Sequence, residues 1–146
     1  MAEHCDKHGI SYYLPLKKET KVYQRRKVTV TKPIFSGYFF VSLNDDDRVI
    51  LLRTNHVIRI LEPGNQRNLL HQLAQIRRAL RIDPCLSTSD NIKKGSKVTI
   101  TGGPFMGIEG LVSSIRDKTK VRLTIDMIGQ AIAIEISKEY IKKIDN

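Results

Sequence analysis

Tryptophan is missing from this chain of 146 residues, and only two cysteines are present. Cys5 and Cys85 lie far apart and neither sits in a C-x-x-C pair, which argues against a disulfide framework and for two reduced thiols. No apolar run approaches the ~18 residues that span a bilayer. The segment from Met1 to His8 lacks the apolar core of a signal peptide. A cytoplasmic location and no membrane partner are therefore expected. Internal repeats and low-complexity tracts are also absent. Carboxylates are the minority charge: 15 Asp and Glu stand against 25 Lys and Arg, giving +10 and a pI near 9.8. Such a surplus favours a polyanionic partner, although general solubility uses the same charge. The excess is +6 over residues 1–90 and +4 over 91–146, so it belongs to folded surfaces rather than to a basic tail. His4, Cys5 and His8 are close in sequence, but no second ligand pair accompanies them. They read as surface positions of a helix, and neither a metal nor a cofactor is expected.

The most informative stretch runs from Lys97 to Val112. Val98 and Ile100, then Leu111 and Val112, read as short strands around a loop with Gly102, Gly103, Gly107 and Gly110. Those glycines suit backbone bends with positive φ, and Pro104 belongs in a turn because it has no amide to donate. A Walker phosphate loop is excluded, because no Lys-Ser or Lys-Thr follows the glycines, and the G-x-G-x-x-G spacing is not met either.

Elsewhere, residues 2–9 read as the last turns of a helix closed by Gly9. Residues 17–30 are rich in Lys and Arg, with Val22, Val28 and Val30 interspersed, as in an extended hairpin or a loop entering a strand. Residues 32–41 become a continuous apolar run and predict a central strand. Asn44 to Asp47 reads as a turn, residues 48–53 suit a strand or a short helix, and Val57 to Leu61 reads as a strand. From Asn65 to Arg81 the period is helical, with Leu69, Leu70, Leu73, Ile76 and Leu80 on one face. Asp83-Pro84 stops that helix. Ser87, Thr88 and Ser89 mark a linker, and further strands follow at 121–125 and 131–136.

Strand, Gly-Pro-Phe turn, glycine and second strand together resemble the KOW motif. The run 33–41 resembles the proline-phenylalanine-glycine-tyrosine strand of the NusG amino-terminal domain, one helix and one linker earlier, as in that family. Lys7 to Leu16 looks like the family's helix end and next strand, and Met127 to Gly129 like a barrel turn. The chain thus resembles NusG and RfaH-like transcription elongation and antitermination factors. The resemblance implies an α+β fold: a small antiparallel sheet with packed helices, followed by a five-stranded KOW β-barrel. Its domains would be residues 1–84, a linker at 85–92, and the barrel at 93–146. Family members normally start with a strand carrying an aromatic pair, whereas Met1 here falls inside the first helix, so a chain lacking that strand is expected.

By resemblance, the chain binds the clamp of RNA polymerase, without catalysis, and tethers a second factor through the barrel. Implied partners are RNA polymerase, non-template DNA, and a ribosomal small-subunit protein or a termination factor. Phe35, Tyr38 and Phe40 fall at clamp-binding positions. Strand alternation would set Phe35 and Phe39 on one face and Tyr38 and Phe40 on the other, one of the two faces being core. Lys17, Lys18, Lys21, Arg25, Arg26 and Lys27, with Arg53, are the nucleic-acid-proximal candidates. Arg77, Arg78 and Arg81 either extend that surface or solubilise the helix. Phe105, Met106 and Ile128 sit on barrel turns suited to a partner, Phe105 being equally suited to cap the barrel core. A KOW-containing RNA-binding or ribosome-associated protein is the alternative.

Overall fold

The computed structural model describes residues 1–90, 95–115 and 118–144. The end of the expected linker at 91–92 and the expected start of the barrel at 93–94 lie outside the described residues. The chain divides into two compact units, Met1–Leu14 with Ser36–Gly64 and Pro15–Phe35 with Asn65–Asn146.

In the first unit, α1 (Ala2–His8) ends at Gly9, whose φ of 68° is the left-handed cap anticipated there. Cys5 is fully buried, not a surface residue; it forms a core with Ile10 and Leu51 against Met1, Phe39, Val41, Leu43 and Val57. The rest of α1 is charged, His or Ala, so the thiol acts as its small hydrophobe. A two-stranded ladder joins β1 (Tyr12–Tyr13) to β4 (Phe40–Val41), with Tyr12 opposite Val41 and Tyr13 opposite Phe40.

Helix α2 (Asp45–Leu52) replaces the turn and ambiguous run. The Asn44 side chain accepts the Asp47 amide at 2.8 Å, and the Asp47 carboxylate accepts the Asn44 amide at 3.2 Å. This reciprocal cap, with Asp45, Asp46 and Asp47 at the positive helix end, starts a helix where the residues alone suggested a turn. Val57 to Leu61 is not a strand. Only Val57 packs on the core, and Ile58 is fully exposed.

The predicted central strand is likewise broken. Residues 34–37 bend and turn, Gly37 taking a φ of 83°, so only Phe40 and Val41 join a ladder. The run is also divided between the units, with Ile34 and Phe35 in one and Tyr38 to Val41 in the other. In place of one small antiparallel sheet there are two separate two-stranded ladders.

The second ladder belongs to the second unit and is the hairpin of β2 (Leu16–Tyr23) and β3 (Arg26–Pro33). Its base is tied down by Ile34 donating to the Pro15 carbonyl and Lys18 to the Pro84 carbonyl. Helix α3 (Gln66–Ile82) starts at Asn65, whose side chain accepts the Asn68 amide at 3.0 Å. It ends at Asp83, held extended before Pro84. Leu73, Ile76, Ala79 and Leu80 are buried, while Leu70 turns away from that face and is exposed.

α3 lies against a sheet in the order β10-β6-β7-β8-β9-β5, all neighbours antiparallel. Its strands are β5 (Ser87–Asp90), β6 (Lys97–Ile100), β7 (Glu109–Ile115), β8 (Lys118–Ile125), β9 (Gln130–Glu135) and β10 (Ile141–Lys143). Val98, Ile100, Ile108, Val121, Leu123, Ile125, Ile132 and Ile134 fill its core. Each fully buried aliphatic side chain of this kind contributes about 1.5–3 kcal/mol.

This differs from the expected five-stranded barrel in two ways. Ser87 to Asp90, expected within a linker, add a sixth strand on β9. The order is also open, with β10 and β5 at its edges and no pairing among the described residues that closes it. Serine and threonine suit an exposed edge ladder as well as a linker, so composition did not separate the two.

Candidate functional site

Tyr38, Phe39 and Phe40 are all half-buried, because the run that carries them is not a regular strand. Phe39 turns to the core of its unit and stacks on Tyr12, with ring centroids 5.2 Å apart at 21°. Tyr12 is 37% exposed, and its hydroxyl donates to the Asp6 carboxylate at 3.4 Å. Partial burial and then that carboxylate push the phenol pKa upward. Tyr38 and Phe40 keep accessible ring surface, but Phe35 is 1% exposed. Phe35 is therefore a core residue of the other unit and offers no face to a partner. Tyr12, which the sequence reading did not single out, joins this aromatic surface; its signal was the Tyr12-Tyr13 pair just past the helix end.

The basic candidates Lys17, Lys18, Lys21, Arg25, Arg26 and Lys27 all lie on the β2–β3 hairpin. Its two-residue apex, Gln24 and Arg25, has φ of 47° and 65°, the pattern of a type I′ turn. Near the base, Lys17 and Lys32 face each other across the ladder, and Glu19 bridges them at 2.7 and 2.8 Å. Hydrogen bonds from Lys17 and then Lys32 hold the Glu19 carboxyl down to about 2, against an ordinary 4.5. Lys18, Lys21, Arg25, Arg26 and Lys27 make no ion pair with the described residues. Arg53 belongs to the other unit, exposed at the end of α2, where Thr54 Oγ1 donates to the Leu51 carbonyl at 2.7 Å.

Phe105 and Met106 sit in the β6–β7 loop, closed by Gly107 donating to the Ile100 carbonyl at 2.8 Å. Met106 is 62% exposed, while Phe105 is half-buried. Only Gly103 and Gly107 of the four glycines have positive φ. Gly110 is required by space instead, since a Cβ there would meet the Arg122 carbonyl oxygen at 2.6 Å. Ile128, half-buried, lies in the turn 126–128 closed by Gly129.

One stripe of α3 meets both loops. Gln72 and Asp126 exchange two hydrogen bonds: the Gln72 amide donates to Asp126 Oδ2 at 2.9 Å, and Asp126 N donates to Gln72 Oε1 at 3.1 Å. Gln75 Oε1 accepts the Glu109 amide at 3.2 Å, and Arg78 lies over Gly107. The spacing i, i+3, i+6 sets all three on one helix face. Gln75 is buried, and a polar residue inside an apolar stripe was the available signal for it. Among the described residues no group of three or more His, Cys, Asp or Glu is placed to hold a metal, and no helix is long and apolar enough to cross a membrane.

A family model described as transcription termination factor nusG matches residues 1–79, more than half of the chain. The chain belongs to the NusG family. It is similar to the transcription termination/antitermination protein NusG of Staphylococcus carnosus, 25% identical over 90% of this chain and 76% of that protein. The NusG of Bacillus subtilis is also 25% identical, over 90% of this chain and 78% of its own length. A shorter match, 34% identical, joins 37% of the chain to 30% of the NusG of Borreliella burgdorferi. Likeness to the first two relatives therefore runs past the family-matched segment into the six-stranded sheet.

Proposed function

We propose that this NusG family member is a non-catalytic, cytoplasmic transcription elongation and antitermination factor that binds the clamp of RNA polymerase. The observation that carries the reading is likeness to termination/antitermination proteins across nine-tenths of the chain, covering the aromatic surface and the glycine-rich loop together. Residues 1–84 act as the NusG-type amino-terminal domain, 85–92 as a linker that lays Ser87–Asp90 along β9, and 93–146 as a KOW domain of the closed-barrel type. Tyr38 and Phe40 supply clamp contacts, because half-buried aromatics held in place bring large contact area at small entropic cost.

The hairpin cations and Arg53 face nucleic acid, the non-template strand in particular. Phosphate contacts from lysine and arginine position a protein without reading sequence. Phe105, Met106 and Ile128 hold a second factor, either a ribosomal small-subunit protein or a termination factor. Two attachments on one chain raise the effective concentration at the second site.

The test is binding to core RNA polymerase, for the chain itself and for Tyr38→Ala and Phe40→Ala. An aromatic hot spot is worth about 2 kcal/mol or more, so each variant weakens binding by ~30-fold with the fold intact. A chain that binds RNA but not polymerase would instead be the KOW-type RNA-binding protein.

A further inference from the structure

Helix α3 carries charge of one sign. Between Glu62 and Asp83 the chain holds Arg67, Arg77, Arg78 and Arg81 and no Asp or Glu. At 3.6 residues per turn the four fall within an arc of about 100°, with Arg77 at one margin and Arg78 at the other. Ala74 lies in the middle of that arc, with Leu70 inside it and His71 at its rim, and all seven are exposed. The arc runs about 21 Å along the axis from Arg67 to Arg81.

The roll of α3 keeps the arc in solvent. Leu73, Ile76, Ala79 and Leu80 are buried on the opposite side, and Gln72 and Gln75 are held by Asp126 and the Glu109 amide. Neither stability nor solubility accounts for the charge pattern. Arg77 and Arg81, four apart, and Arg78 and Arg81, three apart, are repelling neighbours. The helix dipole favours Arg81 in the last turn, but it opposes Arg67 in the first, where a carboxylate would be stabilised. A solubilising face interleaves both signs. Here none of the four arginines makes an ion pair with the described residues. The pattern therefore fits a polyanion, and guanidinium groups suit phosphate because they bind it bidentately.

The surroundings of the arc decide which polyanion. On its His71 and Arg78 side the β6–β7 loop and the start of β7 come up beside the helix, with Arg78 over Gly107 and Glu109 Oε2 3.9 Å from His71 Nε2. On that side α3 lies flush rather than proud, which bars it from the major groove of B-form DNA, about 8.5 Å deep. The B-form minor groove, about 6 Å wide, is too narrow for a helix. A single strand is gripped by stacking its bases on aromatic rings, and the arc has no Phe, Tyr or Trp. The minor groove of A-form RNA is wide and shallow, and it displays 2′-hydroxyls between its phosphate backbones. A flush helix face with arginines at both margins and alanine in the middle is complementary to it.

We propose that the outward face of α3 docks double-stranded RNA across its minor groove, Arg77 reaching one phosphate backbone, Arg78 the other, and Arg67 and Arg81 the phosphates further along. Ala74 lets the helix approach the groove floor. Recognition is of shape, since no base edge is read. The surface uses none of the residues assigned to the clamp, the hairpin or the barrel partner, and it stands whether or not those assignments do.

The test is fluorescence anisotropy of the full chain, without polymerase. The probes are an RNA duplex of roughly 20 base pairs, the DNA duplex of the same sequence and one RNA strand, each followed from about 50 to 200 mM salt. Four contacts give the RNA duplex a slope of about −3.6 in log K against log salt, roughly a 150-fold loss over that range. Arg77→Gln with Arg78→Gln should reduce the slope by about 1.8, and Arg67→Gln with Arg81→Gln by the same amount. Lys7→Gln with Arg59→Gln, exposed cations outside α3, should leave it unchanged. The DNA duplex should bind about tenfold more weakly. Melting midpoints are expected to hold in all variants, because the substituted side chains are exposed. A slope unmoved by the α3 pairs, or moved by only one of them, overturns the docking geometry. Equal or tighter binding of the DNA duplex or the single strand overturns the choice of ligand. Displacement of the RNA by poly-glutamate of equal charge makes the face a site for acidic protein instead and likewise overturns it.

Discussion

Replacing Gln75 by alanine tests whether α3 is fastened to the sheet by the side chains identified or only by its apolar stripe. Gln75 is 8% exposed, and its Oε1 accepts the Glu109 amide at 3.2 Å. Truncation removes that bond and leaves a backbone donor at the start of β7 without its partner. A net hydrogen bond is worth about 1 kcal/mol, and an abandoned buried donor about 1–3 kcal/mol. About 2 kcal/mol is the working figure. For a chain of this length it lowers the melting midpoint by roughly 4–8 °C. Urea unfolding should show the same loss with an unchanged m-value, because the surface exposed on unfolding is the same. Amide exchange adds a local check: protection of the Glu109 N–H should fall by more than that of its β7 neighbours. Gln72→Ala should cost less, about 1 kcal/mol, because Gln72 and Asp126 are more accessible and water replaces what is lost. A Gln75→Ala protein within ~0.5 kcal/mol of the parent, with Glu109 still protected, would refute the argument.

Three further outcomes follow from the same geometry. Asn44→Ala removes half of the reciprocal cap on α2 and should destabilise by about 0.5–2 kcal/mol, read as lost helical signal on urea titration. Phe35→Ala should cost about 3–5 kcal/mol of stability, whereas Tyr38→Ala should cost far less and act on polymerase binding, which separates the core aromatic from the proposed contact aromatic. The stabilisation from Glu19 has a defined pH window. Its folded pKa lies below the ordinary value, so the contribution is complete above about 4.5 and is lost as pH falls through about 2. A carboxyl carbon titration by NMR should place the Glu19 midpoint near 2 in the parent and near the ordinary value once Lys17→Gln and Lys32→Gln are combined.

The parts of the fold that sequence made visible are those in which local and tertiary forces agree. α3 combined a period of 3.6 with an Asp-Pro stop, and both act where they were read, while the Asn65 cap adds a local signal for its start. β8 and β9 were visible as apolar segments, and the αL cap at Gly9 as a glycine at a helix end. The run 33–41 misled because hydrophobicity reports burial, not extension. Ile34 and Phe35 are buried in a bend, and Gly37 then turns the chain. Val57 to Leu61 misled for a related reason, since a strand needs a neighbouring edge as well as a suitable composition. Site residues were legible by type and less so by exposure. Phe35 and Phe40 carry the same side chain, and only packing separates the buried ring from the accessible one. Gln72 gave no signal as a fastener, and Gln75 gave only that of a polar residue in an apolar stripe, because their partners are the backbone amides of Asp126 and Glu109, which no side-chain pattern announces.

The hairpin illustrates how one carboxylate can divide a run of like charges into two roles. Lys17 and Lys32 stand directly opposite each other, an arrangement that destabilises a ladder unless an anion lies between them. Glu19 is that anion, two residues along the same strand and on the same face. The repulsion between those two lysines is thereby offset where the hairpin joins the folded unit, and the other five cations make no ion pair with the described residues. At the apex the preference is reversed. Asn-Gly would relax a type I′ turn, yet Gln24 and Arg25 hold positive φ with full side chains. A sequence selected for hairpin stability alone would place glycine there, and one selected for solubility alone would not concentrate charge beside exposed Val22 and Tyr23. Both departures are what the proposed contact with a polyanion requires. Installing Asn-Gly at Gln24 and Arg25 should therefore stabilise the ribbon by about 1 kcal/mol while reducing the salt slope of nucleic-acid binding by about 0.7–0.9.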